Sequence, residues 1–111
     1  MPEPFRILLP EPVEKEIAQL DNSDKVMVEK ILKQLYEEGD VVGKPLGLPF
    51  LREKKFGKKR LYYLIYEDWS VILIAAVSDK KAQEGTINRI AHETARYHQY
   101  VFDFLRKKGL I

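Results

Sequence analysis

The stretch from Phe50 to Lys81 constrains the fold of this chain more than any other part. It contains three short β-prone segments, FLREKKF, KKRLYYLIYE and SVILIAAVS, separated by a turn at Gly57 and by the acidic pair Glu67-Asp68. Connections this short join antiparallel neighbours, so the segments are predicted to form an antiparallel meander. The third segment, 71–77, is apolar on both faces, and we expect it in the sheet centre, covered on two sides.

Helical patterns flank the meander on both sides. Before it, a short β-prone run at 5–9 leads into apolar residues at helical spacing between Pro12 and Gly39, with a cap cluster at 21–23. This pattern predicts two helices joined as a hairpin. After the meander, apolar side chains repeat at helical spacing over 87–105, which predicts one long amphipathic helix.

The predicted fold class is therefore α+β, with an N-terminal helical hairpin, a curved, mainly antiparallel β-sheet and a long C-terminal helix. We expect a single domain over residues 1–111, because a chain of 111 residues can bury one core without help from a metal or a disulfide.

Composition excludes several classes of site. The chain has no cysteine, which excludes a disulfide scaffold, a cysteine zinc site and a thiol nucleophile. The two histidines, His92 and His98, cannot form a metal site alone, so no metal and no cofactor are expected. No apolar run approaches the roughly 18 residues of a membrane span, and no positively charged leader precedes an apolar stretch. We therefore expect a cytoplasmic protein without a membrane partner.

Charge is strongly polarised along the chain although the formal net charge is only +2. Residues 1–43 carry 5 basic and 10 acidic side chains, whereas residues 44–60 carry 7 basic side chains and Glu53 as their single acid. Such a local concentration of cations is typical of a surface that binds a polyanion.

Two interpretations of the basic cluster at 52–60 stay open at this point. Arginine offers a bidentate fork and lysine a mobile point charge, so the cluster could bind phosphate. Alternatively, it is a solvated hairpin whose edge lysines block strand pairing. Lys55 and Arg60 flank the turn on paired strands and are the best placed to converge. Lys80 and Lys81 end the third segment, at the sheet end where the second one starts.

A few further side chains could contribute to a site. Tyr62, Tyr63 and Tyr66 could stack on bases, although strand aromatics are more often core residues. His92 lies on the polar side of the last predicted helix and is a weak candidate for a general base, whereas His98 lies on the apolar stripe and is predicted to be a core residue.

Several motifs occur together in an order that is informative. They are Lys44-Pro45-Leu46-Gly47, Leu51-x-Glu53-x-Lys55-Phe56-Gly57, Arg60-Leu61-x-Tyr63 and Lys80-Lys81. This order, after a helical hairpin, resembles the RelE/ParE toxin superfamily and is most similar to its RelE/HigB-like, phage-derived branch. The resemblance implies a toxin of a type II toxin-antitoxin pair that associates with the ribosome, cleaves mRNA without a metal and inhibits translation. The implied partners are a cognate antitoxin protein, mRNA and the ribosome.

The resemblance also implies which residues act. Arg60 matches the family's strand arginine and would stabilise the phosphate, Lys55 stands where an arginine is usual, and Lys81 belongs to the basic pair; these three are the implied catalytic residues. The implied RNA-binding residues are Arg52, Lys54, Lys58, Lys59 and Lys80. The C-terminal tyrosine or histidine of several ribonuclease members has no counterpart after Lys81. A ParE-like gyrase inhibitor and a non-catalytic interaction module therefore remain open alternatives.

Overall fold

The computed structural model describes residues 4–39, 42–48 and 50–111. Its strands are β1 (Arg6–Leu8), β2 (Lys44–Pro45), β3 (Leu51–Phe56), β4 (Lys59–Tyr66) and β5 (Val71–Asp79). Its α-helices are α1 (Glu11–Ala18), α2 (Asn22–Glu38), α3 (Gln83–His92) and α4 (Thr94–Lys107), and a single 3-10 turn at Glu67–Trp69 joins β4 to β5.

The strands form one five-stranded mixed sheet in the order β1-β5-β4-β3-β2. β1 runs parallel to β5, and the other three pairings are antiparallel. The meander β3-β4-β5 therefore forms as predicted, and β5 lies inside the sheet between β1 and β4. The α+β fold class predicted from the sequence is confirmed.

Each face of the sheet is covered by one pair of helices. On the hairpin face, α1 and α2 pack on alternate residues of the strands, including Tyr63 and Ile74. On the opposite face, which we call the C-terminal face, α3 and α4 bury Ile90 and Val101 against Tyr62 and neighbouring apolar residues. Because side chains alternate between faces along a strand, a residue's position in β3 or β4 decides which helices it meets.

Helix α2 of the helical hairpin begins and ends as the sequence indicates. Asp21 caps α2, since its carboxylate accepts a hydrogen bond of 2.8 Å from the backbone N–H of Asp24. Gly39 ends α2 with a φ of +60°, and a Cβ there would lie 2.2 Å from the ring of Phe5. Glycine at this position therefore permits both the left-handed φ and the close approach of the amino-terminal segment.

The C-terminal helical segment is not one helix, because the chain breaks at Glu93 between α3 and α4. A straight helix over 83–107 would be about 37 Å long, whereas the nine residues of β5 span about 30 Å. The break allows both halves to bury apolar residues on the same C-terminal face. In the part of the chain that the structure describes, no helix is long and apolar enough to cross a bilayer.

Candidate functional site

A row of three side chains crosses the sheet near the turn between β3 and β4. The strand register places Arg60 directly opposite Lys55 on one side and Ser78 on the other. Residues directly opposite each other point to the same face, with Cβ atoms about 5 Å apart. This is the C-terminal face, because Tyr62 follows Arg60 by two residues and belongs to the core there. The structure therefore brings together Lys55 and Arg60, two of the three residues expected to be catalytic.

Lys80 and Lys81 lie next to this end of the sheet. They follow Asp79, the last residue of β5, and both are exposed. The carboxylate of Asp79 accepts a hydrogen bond of 2.9 Å from the backbone N–H of Ala82, which fixes the turn into α3. The turn holds the two lysines at the sheet end where β4 begins, next to Arg60.

Arg60 forms an ion pair with Glu53, a buried acid that is not among the site residues predicted from the sequence. Its side chain is only 10% exposed, and its Nε lies 3.5 Å from Oε2 of Glu53, whose side chain is 4% exposed. The same carboxylate oxygen accepts a hydrogen bond of 3.0 Å from Nε2 of Gln83, at the start of α3. Two features of the sequence mark Glu53: it is the single acid within the basic stretch 44–60, and it belongs to the motif Leu51-x-Glu53-x-Lys55.

The other basic residues do not join this row. Lys54 and Arg52 pair with Leu61 and Tyr63, which are core residues of the hairpin face, so their side chains lie on the side opposite Lys55. Lys58 is exposed at the turn, beyond the row.

Lys59 also points to the hairpin face, where it lines a small depression together with Glu16 and Gln19 of the α1 region. The pKa of Asp21 is lowered, mainly by the hydrogen bond from the backbone N–H of Asp24, and the nearby charge of Lys59 lowers it further. Lys59 thus faces the acidic loop between α1 and α2, and the predicted RNA-binding residues divide between the two faces.

Two of the tyrosines are not available for stacking on bases. Tyr62 and Tyr63 are both fully buried. The hydroxyl of Tyr62 shares a hydrogen bond of 2.8 Å with Oγ of Ser78, and the hydroxyl of Tyr63 donates to the carbonyl of Val42 at 2.5 Å. Burial raises the pKa of Tyr63 to about 12. Both tyrosines are therefore structural, and their side chains pack on opposite faces of β4.

A groove of about 710 Å³ lies at the other end of the sheet. Tyr66 and Trp69 stack in its wall with ring centroids 5.9 Å apart, and the ring of His98 lies 5.1 Å from that of Trp69. The prediction that His98 is a core residue is wrong, because the buried stripe of α4 runs through Val101 and Leu105 and leaves His98 exposed at its margin.

His92 is also far from the row of Lys55, Arg60 and Ser78. It ends α3, about 13 Å along the helix axis from Gln83, and its Nδ1 lies 2.8 Å from the carbonyl oxygen of Asn88. Among the residues that the structure describes, no group of three or more His, Cys, Asp or Glu side chains is arranged to hold a metal ion.

Comparison with known proteins identifies the fold as that of the toxin RelE. No family model and no curated protein sequence matches this chain, but solved structures do. A double mutant of the Escherichia coli toxin RelE in the free state aligns with a TM-score of 0.64 at 19% identity, over 78% of this chain and 98% of the RelE chain.

Two complexes give similar results. A chain of the intact E. coli RelBE toxin-antitoxin complex aligns with a TM-score of 0.60 at 20% identity, over 68% of this chain and 95% of its own length. A chain of the toxin-antitoxin complex RelBE2 from Mycobacterium tuberculosis aligns with a TM-score of 0.54 at 20% identity, over 69% and 99%. The chain thus has the same fold as RelE, which confirms at the level of the fold the resemblance read from its motifs.

Proposed function

We propose that this protein is the toxin of a type II toxin-antitoxin pair and that it cleaves mRNA at the ribosome, which inhibits translation. The observation that carries the proposal is the position of Arg60 on a RelE-type sheet, opposite Lys55 and at the sheet end where Lys80 and Lys81 follow β5. Four cations around one surface are typical of a site that binds phosphate.

The proposed reaction is attack of a ribose 2′-oxygen on the adjacent phosphorus. The O2′–P bond forms and the P–O5′ bond breaks, while a base takes the 2′-hydroxyl proton and an acid protonates the leaving 5′-oxygen. The products carry a 2′,3′-cyclic phosphate and a 5′-hydroxyl. Negative charge builds up on the non-bridging oxygens, where Arg60 donates hydrogen bonds and Lys55 and Lys81 supply positive charge.

In this proposal, fewer basic residues bind the RNA on either side of the scissile phosphate than the sequence predicts. Lys58 and Lys80 are exposed near the same end of the sheet and bind flanking phosphates in this proposal. We leave Arg52, Lys54 and Lys59 out of the RNA surface, because their positions in β3 and β4 direct them to the hairpin face.

The proposed partner is a cognate antitoxin. The E. coli RelBE structure is a toxin-antitoxin complex of the same fold, and an acidic segment would neutralise the exposed cations at the end of β5. Covering this surface would block access of RNA to Arg60.

Expression in bacteria with mapping of RNA ends tests the proposal. We expect new mRNA ends with 5′-hydroxyl groups soon after induction, and their loss in the Arg60→Ala and Lys81→Ala variants. Lys54→Ala is the matched control, because it removes a neighbouring cation from the other face and should leave cleavage intact. Arrested ribosomes on intact transcripts would indicate a non-catalytic interaction module, and double-strand DNA breaks would indicate a gyrase inhibitor; either result would overturn the proposal.

A further inference from the structure

Glu53 is a buried acid in the most basic part of the chain. It occupies the position in β3 opposite Tyr62, on the C-terminal face and two residues before Lys55. The whole residue is 4% exposed. Its location places a carboxylate beside Lys55 and Arg60, on the same face of the sheet.

The Glu53 carboxylate contacts two different segments of the chain. Oε2 lies 3.5 Å from Nε of Arg60, at the start of β4. The same atom accepts a hydrogen bond of 3.0 Å from Nε2 of Gln83, the first residue of α3. Gln83 comes two residues after Lys81, so one carboxylate links the arginine of the row to the segment that carries the exposed lysines.

Stability alone does not account for a carboxylate at this position. Removing an acid and an arginine from water is expensive, and apolar side chains of similar volume often serve as well or better. A carboxylate does something that an apolar side chain cannot, because it attracts one edge of a guanidinium and so limits its rotation. Arg60 has five N–H groups in a rigid fork, and its Nε lies closest to Glu53, at 3.5 Å in an ion pair without a hydrogen bond.

We propose that Glu53 is a positioning residue for the anion-binding surface. It orients the guanidinium of Arg60 through the Nε edge, and through Gln83 it holds the start of α3 and the preceding lysine pair at the same end of the sheet. Groups that bind a reacting phosphate gain most when neighbouring side chains lock their geometry in advance. The relevance of this positioning to RNA cleavage rests on the proposed function, but the positioning itself does not.

Nuclear magnetic resonance tests the positioning without RNA. In the native protein, we expect the Nε–Hε proton of Arg60 to exchange slowly with water, because Nε is buried beside Glu53, although it makes no hydrogen bond. Glu53→Gln should shift this signal and increase its exchange rate by at least about tenfold, and should also shift the side-chain amide signals of Gln83. A folded Glu53→Gln protein in which both sets of signals keep their native positions would overturn the proposal.

Two further variants keep the test decisive. Glu53→Asp retains the charge but withdraws the carboxylate by one methylene, so it should alter the same signals even if Glu53→Gln fails to fold. Gln83→Ala removes only the contact to α3. It should speed amide exchange around Ala82 while leaving the Arg60 signal near its native position. A Glu53→Asp protein with native signals for both Arg60 and Gln83 would contradict the proposed role.

An activity measurement connects the positioning to the proposed cleavage. Loss of an orienting partner typically costs about 10- to 100-fold, and we expect a decrease of this size in kcat for Glu53→Gln. KM should change less, because several cations contribute to ground-state binding of RNA. Equal kcat per folded molecule in the two proteins would argue against positioning. A native protein that cleaves no RNA would overturn the proposed function, while the resonance data would still decide the role of Glu53.

Discussion

Lys54 and Lys55 are neighbours in β3, but they lie on opposite faces of the sheet. Lys55 shares the C-terminal face with Arg60, whereas Lys54 pairs with Leu61 on the hairpin face. Two cations of the same type, one residue apart, therefore form a natural matched pair for locating the RNA surface.

We expect Lys55→Ala to weaken binding of a non-cleavable, 2′-deoxy-substituted RNA by several-fold at low salt, and Lys54→Ala to have little effect. Each phosphate contact to a single strand contributes about −0.7 to the slope of log K against log salt concentration. Lys55→Ala should therefore reduce the slope by about that amount, which fluorescence anisotropy at several salt concentrations would measure. Equal losses in the two variants would place the RNA elsewhere.

Because Glu53 and Arg60 form an ion pair, substitutions at the two positions are predicted to have non-additive effects on the free energy of unfolding. Both side chains are at most 10% exposed, and removing one partner of a buried pair leaves the other charge uncompensated, at a cost of about 3 kcal/mol or more. We expect Glu53→Gln and Arg60→Met each to lower the free energy of unfolding by about this amount.

The double variant should lose clearly less than the sum of the two single losses, because no charge is then left without a partner. Urea denaturation of the four proteins in the cycle measures the difference. Additive losses would show that the two side chains do not interact in the folded protein.

Gly43 is predicted to be much less tolerant of substitution than Gly47. Both have a left-handed backbone, with φ of +81° and +87°, but a Cβ at Gly43 would lie 2.0 Å from the hydroxyl of Tyr63, whereas nothing lies within 4 Å of one at Gly47. Gly47→Ala should cost about 1 kcal/mol for its backbone conformation.

Gly43→Ala should cost about 3 kcal/mol, since it must also displace Tyr63 from its hydrogen bond to the carbonyl of Val42. Chemical denaturation of the two variants provides the comparison. Similar destabilisation of both would mean that the Tyr63 hydroxyl moves aside freely.

Tyr63 makes the free energy of unfolding depend on pH in the alkaline range. Tyrosine in an unfolded chain ionises near pH 10, whereas burial raises the pKa of Tyr63 to about 12 in the folded protein. Between these two pH values the unfolded state binds fewer protons than the folded state. The contribution of Tyr63 to stability is therefore complete below pH 10 and is lost as the pH rises towards 12.

We expect the free energy of unfolding to fall by up to about 1.4 kcal/mol per pH unit in this window because of Tyr63. The dependence should be correspondingly weaker in Tyr63→Phe, which also controls for the other titrating groups. Denaturation curves from pH 9 to 11.5 would show this, and parallel pH profiles for the two proteins would contradict it.

The sequence predicted the elements of the sheet better than the geometry of the site. Turn residues and period-two alternation placed the meander, because they act locally. The break at Glu93 does not follow from the sequence pattern, since the apolar period continues through it.

The partners of Arg60 depend on tertiary placement. Gln83 is 30 residues from Glu53 in the chain, and no local pattern connects them. The spacing of His98 fits the apolar stripe of α4 and so predicts a core residue. Spacing alone, however, does not determine how much of the helix surface the sheet covers.

The parallel pairing of β1 with β5 has a consequence for how the chain is made. Arg6–Leu8 is synthesised early, but its hydrogen-bonding partners are Val71–Leu73, so this strand cannot dock until most of the chain has left the ribosome. Such distant pairings are slow to form. The helical hairpin, in contrast, can form from the first third of the sequence. The growing chain therefore lacks a complete sheet, and with it the row around Arg60, until β5 has been translated.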